Sequence, residues 1–323
     1  MEQVEINRIR TQLVNRRERL HRAAGDQKTG VHYLALLKEV DAALERIDSG
    51  TYGICEVCHD PIEEDRLIVN PLLCFCIDHL SDQQKHSLEE DLDLAQKIQK
   101  AMLPAKNLET AGWDFNFHYE PAGVVSGDYC DVISEGSNTY FILGDVSGKG
   151  IAASMLMSQM HALFHSLIPL NLGIDRLVGQ INRLMCESNP SSHYATLLCI
   201  KAELNGKIEV CNAGHLPALL IKKNHQLKLD STGIPVGLFC DAEYSVNSLS
   251  VEKGDTLLLY TDGLTETFSN EEEYGVSRLS KVLFDNHKLS SGELTKTILS
   301  DVNKFIAGKS KKDDLTIMAV KKL

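Results

Sequence analysis

Beyond Gly112 the chain is written as short apolar runs, among them YFILGDV, HYATLLCI, KIEVCNA, PALLIKK, DTLLLYTDG and DLTIMAV, with acidic motifs at their ends. Runs of this length between turn residues read as strands of antiparallel sheets, and helical segments near 150–187 and 276–308 make the class α+β. Four motifs carry the carboxylates: SGDYCD with Asp128 and Asp131, GDVSGKG with Asp145, YTDG with Asp262, and KDDLTI with Asp313 and Asp314. Carboxylates brought together resist joint ionisation, so a multivalent cation must neutralise them where they meet. Oxygen-only ligands select Mg²⁺ or Mn²⁺ over zinc. Two such ions about 4 Å apart acidify a bridging water and aim it at phosphorus, which makes phosphate ester hydrolysis the expected chemistry. One Asp-Gly alone is first a turn signal, but four motifs in one region weigh against that reading. GDVSGKG lacks the Lys-Ser/Thr ending of a phosphate loop, so nucleotide binding is not expected.

The first 80 residues have another texture. Helices are expected over 4–22 and 31–48, the second with Val31, Leu34, Leu37, Val40, Leu44 and Ile47 at steps of three and four; residues 25–30 separate them, and the pair reads as an antiparallel hairpin. The segment that follows has no apolar core of its own and is expected to stay irregular to about Leu80. It carries Cys55-x2-Cys58 and Cys76-x2-His79, seventeen residues apart, the spacing of a structural Zn²⁺ site in which metal replaces the missing core. Cys74 stands two residues before Cys76 and competes for its place; Cys76 keeps the regular spacing, and His59 reads as exposed.

From Ser81 a helical period returns, with Leu88, Leu92, Ala95, Ile98 and Met102 on one stripe that stops at Pro104. Its spacing suits a seam that packs on a partner or a second copy, so a homodimer through the 81–102 helix is expected. The resulting division is 1–80 hairpin plus zinc finger, 81–108 helical linker, and 109–323 catalytic domain.

A net charge of −12 disfavours nucleic acid and anionic membrane as partners. The N-terminus has no apolar signal core, and nine cysteines without an export signal fit a cytoplasmic chain better than a disulfide framework. Residues 151–174 contain no Asp, Glu, Lys or Arg, yet their load of Ser, Gln, His, Pro and Asn marks a buried helix of a soluble fold rather than a membrane span.

Around ALERIDSGTYGICEVCHDPI, RLIVNP and Cys76, the first 80 residues resemble the DksA/TraR-type zinc finger. They depart from it in His79, where a fourth Cys is usual, and in AAGDQKTG at the hairpin tip, which has no paired acidic motif. In that family an acidic tip enters the RNA polymerase secondary channel; its absence favours a structural or dimerising module here.

From about residue 88 to 323, the order SGDYCD, GDVSGKG, NAGHLP, GIPVGL, YTDG and KDDLT resembles the SpoIIE/RsbU-like branch of the PPM-type protein phosphatases, and DLAQKIQKAMLP matches the segment preceding that domain. The resemblance implies a PPM-type β-sandwich flanked by helices, with a dinuclear Mn²⁺/Mg²⁺ centre at one end. It implies that Asp145 bridges both ions, that the Val146 carbonyl contributes, that Asp262 and Asp313 complete one ion's shell, and that Asp128 lies close, with Asp314 the alternative to Asp313. It implies a phosphoserine/phosphothreonine protein substrate, of the STAS type found in partner-switching pathways. Where many eukaryotic members have an acid His, this chain has Ser147, and the early strand has no phosphate-clamping Arg. His215 of NAGHLP falls in a turn between apolar strands and reads as structural. The alternative reading is a regulatory binding protein whose zinc hairpin engages RNA polymerase or another partner, with the phosphatase fold as scaffold.

Overall fold

The computed structural model describes residues 3–24, 30–79, 82–105, 110, 112–188, 193–223, 225–269, 272–307 and 313–323; the hairpin-tip residues 25–29 lie outside these. The chain separates into two compact units, Met1–Asp91 and Leu92–Leu323.

In the first unit, α1 (Gln3–Ala24) and α2 (Gly30–Asp48) form the expected helix pair, burying Ile9 and Leu13 against Leu37, Val40, Ala43 and Leu44. The cysteine segment is not irregular throughout. It folds a short helix, α3 (Glu64–Val69), and a 3-10 turn at Ile77–His79. Nor is it without apolar support: Tyr52, Ile62 and Leu67 join Cys55 and Cys76 in the hairpin's own core. A segment too short for a core has borrowed one from the helices beside it.

The helix α4 (Asp82–Ala101) runs from the first unit into the second. There follow β1 (Trp113–Glu120), β2 (Asp128–Glu135), β3 (Asn138–Val146), α5 (Gly150–Leu167) and α6 (Ile174–Ser188). The chain continues through β4 (Ala195–Glu203), β5 (Lys207–Ala213), β6 (Ala218–Lys222), β7 (His225–Leu229), β8 (Asn247–Ser250) and β9 (Thr256–Tyr260). It ends with α7 (Asp262–Thr265), the small ribbon β10 (Phe268–Ser269) and β11 (Glu272–Glu273), α8 (Gly275–Asn286), α9 (Ser291–Ile306) and β12 (Leu315–Lys322). Among the described residues these strands make two antiparallel five-stranded sheets, ordered β2-β3-β4-β5-β8 and β1-β12-β9-β6-β7.

The sheets face each other across Phe141, Leu143, Leu198 and Ile200 on one side and Leu257, Leu259, Met318 and Val320 on the other. The alternate residues of the same strands point outward and are covered as well. Tyr140, Ile142 and Cys199 pack under α5 and α6, and Leu258, Ile317 and Ala319 under α8 and α9. Both faces of each central strand are buried, which is why YFIL and TLLLY show no polar alternation. The result is the helix-flanked sandwich that the resemblance implied.

One expectation needs correction. The charge-free stretch is not one buried helix: α5 ends at Leu167, a 3-10 turn follows, and Asn171 in the left-handed region (φ 52°) precedes α6. Gly150–Leu170 is long and apolar enough to cross a membrane by length and composition, but Ala153, Met157, Met160 and Phe164 form a stripe packed on the β2-β3-β4 sheet. Ile151 and Met155, on the other side, are exposed. In α4 the stripe is divided: Leu88 and Ile98 are exposed, and Leu92, Ala95 and Met102 are half-buried. Gln99, outside the stripe, is 4% exposed, because its amide donates to the Ser126 carbonyl (2.8 Å) and accepts from the Ser126 N–H (3.0 Å).

Candidate functional site

Antiparallel pairing places Asp128, first residue of β2, directly opposite Asp145 near the end of β3. Thr261, which ends the β9 run, and Thr316 of β12 both donate hydroxyl hydrogen bonds to Asp128 Oδ2, the first at 3.0 Å. Asp262 follows Thr261 as the first residue of α7, and Asp313 stands two residues ahead of β12. Both sheets thus deliver carboxylates to one end of the sandwich.

Their electrostatics reflect crowding. Burial, and then the charges of Asp262, Asp313 and Asp314, push Asp145 up to about 7 against the pull of Lys149. Burial and the Asp145 charge hold Asp128 well above the usual carboxylate range, and burial with Asp313 raises Asp262. Lys149 lies at the rim, its Nζ 2.9 Å from Asp313 Oδ2 and its side chain 61% exposed. A surplus of buried negative charge on an oxygen-only donor set fits Mg²⁺ or Mn²⁺.

Asp313 and Asp314 do different things. Asp314 accepts from the Ala122 N–H (2.7 Å, Oδ1) and the Gly127 N–H (2.8 Å, Oδ2), so it clamps the β1–β2 loop that delivers Asp128. The end of α4 holds the same loop through Gln99 at Ser126 and Gln96 at the Val124 carbonyl (3.2 Å). Gly263 explains the Asp-Gly of YTDG differently from a turn. A Cβ there would lie 1.9 Å from the Asp314 carbonyl oxygen, so the residue is small because backbone crosses it. Gly127 is similar, with the Val146 carbonyl oxygen 3.0 Å from where its Cβ would be.

Asp131 is not brought into this group. It lies three residues along β2 from Asp128 and so faces the opposite side of the sheet, toward α5. His215 is buried and structural in its contacts: Nε2 donates to the Tyr260 carbonyl (3.2 Å), which leaves Nδ1 to accept from the Thr196 hydroxyl (2.7 Å). Thr196 is the β4 partner of Asp145, so His215 joins the two sheets just behind the carboxylates. Ser147 stands where many eukaryotic members have the acid His, and its carbonyl lies 2.9 Å from Nδ1 of His193, an imidazole outside the sequence motifs. Lys149, His193 and Gln99 were missed because their roles depend on chain segments distant in sequence.

In the first unit, the ligand atoms of Cys55, Cys58, Cys76 and His79 all lie within 4.8 Å of one another, and Cys74 stands outside the group. The Cys58 and Cys76 sulfurs are 3.7 Å apart, and His79 Nδ1 is 3.2 Å from Cys76 Sγ. Two sulfurs at about 2.3 Å on a tetrahedral zinc would stand about 3.8 Å apart, so the donors fit that ion. Burial raises the Cys55 thiol, but the N–H groups of Cys58, Cys76 and Val57 outweigh it and bring it down to about 6. One ligand is therefore predisposed to the thiolate form that metal requires.

Comparison with known proteins places both units. Residues 135–322, more than half of the chain, match the family described as stage II sporulation protein E. The chain belongs to the SpoIIE family. Asp145, Asp262 and Asp313 fall within the matched region of this SpoIIE-type chain, and Asp128 just before it. Residues 50–78 match the prokaryotic dksA/traR C4-type zinc finger; the fourth donor here, His79, is a histidine one residue beyond. The chain is 28% identical to Protein IcfG of Synechocystis sp. over 71% of its own length and 41% of that protein's. It is 31% identical to Phosphoserine phosphatase RsbP of Bacillus subtilis over 57% of its length and 47% of that protein's. It thus spans less than half of either relative. Among solved structures, the SiaA-PP2C domain of Pseudomonas aeruginosa superposes with a TM-score of 0.66 at 17% identity, covering 75% of this chain and 99% of that one, a likeness of fold.

Proposed function

We propose that this chain is a Mn²⁺- or Mg²⁺-dependent protein serine/threonine phosphatase acting on a phosphorylated STAS-type protein. The observation that carries the reading is the placing of buried Asp145 opposite Asp128, where burial first, and then the Asp262, Asp313 and Asp314 charges, raise its carboxyl to about 7. Asp145, the Val146 carbonyl, Asp262 and Asp313 would hold two ions, with Asp128 behind them and Asp314 occupied as the loop clamp. Bound there, such ions supply a Lewis acid for the phosphoryl oxygens and an acidified water. The protein's own part is positional. The Thr261 and Thr316 hydroxyls fix Asp128, Asp314 fixes the loop, and the His215 bridge holds the β4 and β9 ends in register. Lys149 brings an exposed ammonium to the rim, where it can leave Asp313 for a phosphoryl oxygen when that carboxylate is taken up by a cation.

The substrate class rests on the family and on two relatives, RsbU and RsbP of Bacillus subtilis, each named a phosphoserine phosphatase. Free thiols at all nine cysteines suit a reducing, cytoplasmic setting. In the division 1–80, 81–108 and 109–323, the zinc finger serves as a structural module, and the exposed Leu88 and Ile98 of the α4 stripe suit a homodimer contact. The test is Mn²⁺-dependent phosphate release from a phosphoserine STAS protein by the wild type and Asp145→Ala. Turnover should fall at least 100-fold in the variant, and undiminished turnover would sink the assignment.

A further inference from the structure

The SGDYCD motif spends only its first aspartate on the carboxylate centre. Asp131 is turned to the opposite face of β2, where it meets two histidines one helical turn apart on α5. His165 Nε2 lies 2.8 Å from Asp131 Oδ2, and His161 Nδ1 lies 3.2 Å from the same oxygen. The two imidazole rings are 4.2 Å apart between centroids. Asp131 is held from behind, its Oδ2 accepting from the Tyr129 hydroxyl (2.9 Å) and its Oδ1 from the Val132 N–H (2.8 Å). The Tyr129 ring also meets His161 edge-on.

The contact of His161 is anomalous as a hydrogen bond. Its Nδ1 is buried and, among the described residues, has no partner of hydrogen-bonding geometry although a carboxylate oxygen is 3.2 Å away. Nδ1 as a bare lone pair would repel that oxygen, and as an N–H it would be misaimed. A cation between them removes both difficulties, because two imidazole lone pairs and a carboxylate then converge on one charge. The separations suit this. Two ligand atoms about 2.1 Å from a metal stand about 3.0 Å apart at a right angle and about 3.4 Å apart at the tetrahedral angle. Histidines at i and i+4 of one helix face are a recurrent zinc-chelating arrangement, and a hydrogen-bonded carboxylate completes a three-ligand set.

We infer that Asp131, His161 and His165 form a further metal site for a divalent transition ion of the zinc class, tying α5 to β2 and separate from the oxygen-only centre. Its imidazole donors select zinc, cobalt or nickel over magnesium. His165 is 47% exposed, so a further coordination position opens to solvent.

The experiment uses the full chain with zinc in its finger and excess Mg²⁺ present, and titrates Co²⁺ as the probe. One equivalent should enter with visible d–d absorption and no thiolate charge-transfer band, and Zn²⁺ should displace it. His165→Ala, whose side chain is too exposed to hollow the core, should keep its circular dichroism and lose this uptake; His161→Gln should do the same. No saturable uptake by the wild type, or equal uptake and equal spectra in folded His165→Ala, overturns the inference.

Discussion

Lowering the pH should expose what His215 contributes. Burial brings this imidazole from 6.5 to about 4, so it stays neutral in the folded chain, with Nε2 donating to Tyr260 and Nδ1 accepting from Thr196. The folded state therefore binds fewer protons than the unfolded state between these two values. The stabilisation is fully present above 6.5, is lost as the pH falls toward 4, and totals about 3 kcal/mol at about 1.4 kcal/mol per unit. Between pH 6.5 and 4.5 the single site should account for about 2 kcal/mol of lost stability. Trp113, the chain's one tryptophan and buried in β1, reports unfolding of this unit in urea. Other groups titrate over the same range, so the quantity to measure is the stability of the wild type minus that of His215→Gln. That difference should shrink by about 2 kcal/mol from pH 6.5 to 4.5. A difference that does not change with pH would refute the assignment of His215 as a neutral bridge between the sheets.

Gly263→Ala should force the start of α7 away from the Asp314 carbonyl, costing about 1–3 kcal/mol in urea melts and at least tenfold in Mn²⁺-dependent turnover; an unaltered variant would show that the crossing is not tight. Lys149→Met should raise KM for a phosphoprotein about two- to fivefold and leave kcat nearly unchanged, since an exposed charge contact is worth about 0.5–1 kcal/mol; a KM equal to the wild type's would remove Lys149 from substrate binding. Cys55→Ser should lower zinc content by one per chain by atomic absorption while hydrolysis of a small phosphate ester persists. Unchanged zinc would exclude Cys55 as a ligand.

What the sequence made legible was what it encodes locally. The Cys/His donors sit in two tight pairs, and the clustered carboxylates stand where apolar runs stop, so both could be found by spacing. The strands themselves were visible as apolar runs, but burial on both faces erased the alternation that would have told inner from outer residues. This is also why Asp131 was grouped with Asp128: without a face assignment, an offset of three residues carried no meaning. Gln99 was hidden for another reason. A glutamine in a helix reads as surface, and only the Ser126 backbone, 27 residues away, turns it inward. Neighbouring Asp313 and Asp314 were separable only once the Ala122 and Gly127 amides were in place. Gly263 read as a turn signal because the backbone it avoids is that of Asp314, some fifty residues on and just ahead of β12.

The position of β12 has a consequence for synthesis. It lies between β1 and β9, and among the described residues β1 pairs with β12 alone, yet β12 follows the other described strands in the chain. Asp314, just ahead of it, is also the residue that clamps the loop carrying Asp128. While a nascent chain stops short of Asp313, β1 has no neighbour, the loop has no clamp, and the carboxylate end is incomplete. Translation therefore cannot assemble the carboxylate centre in stages: it closes in one event, when β12 slides between two strands that have been waiting for it.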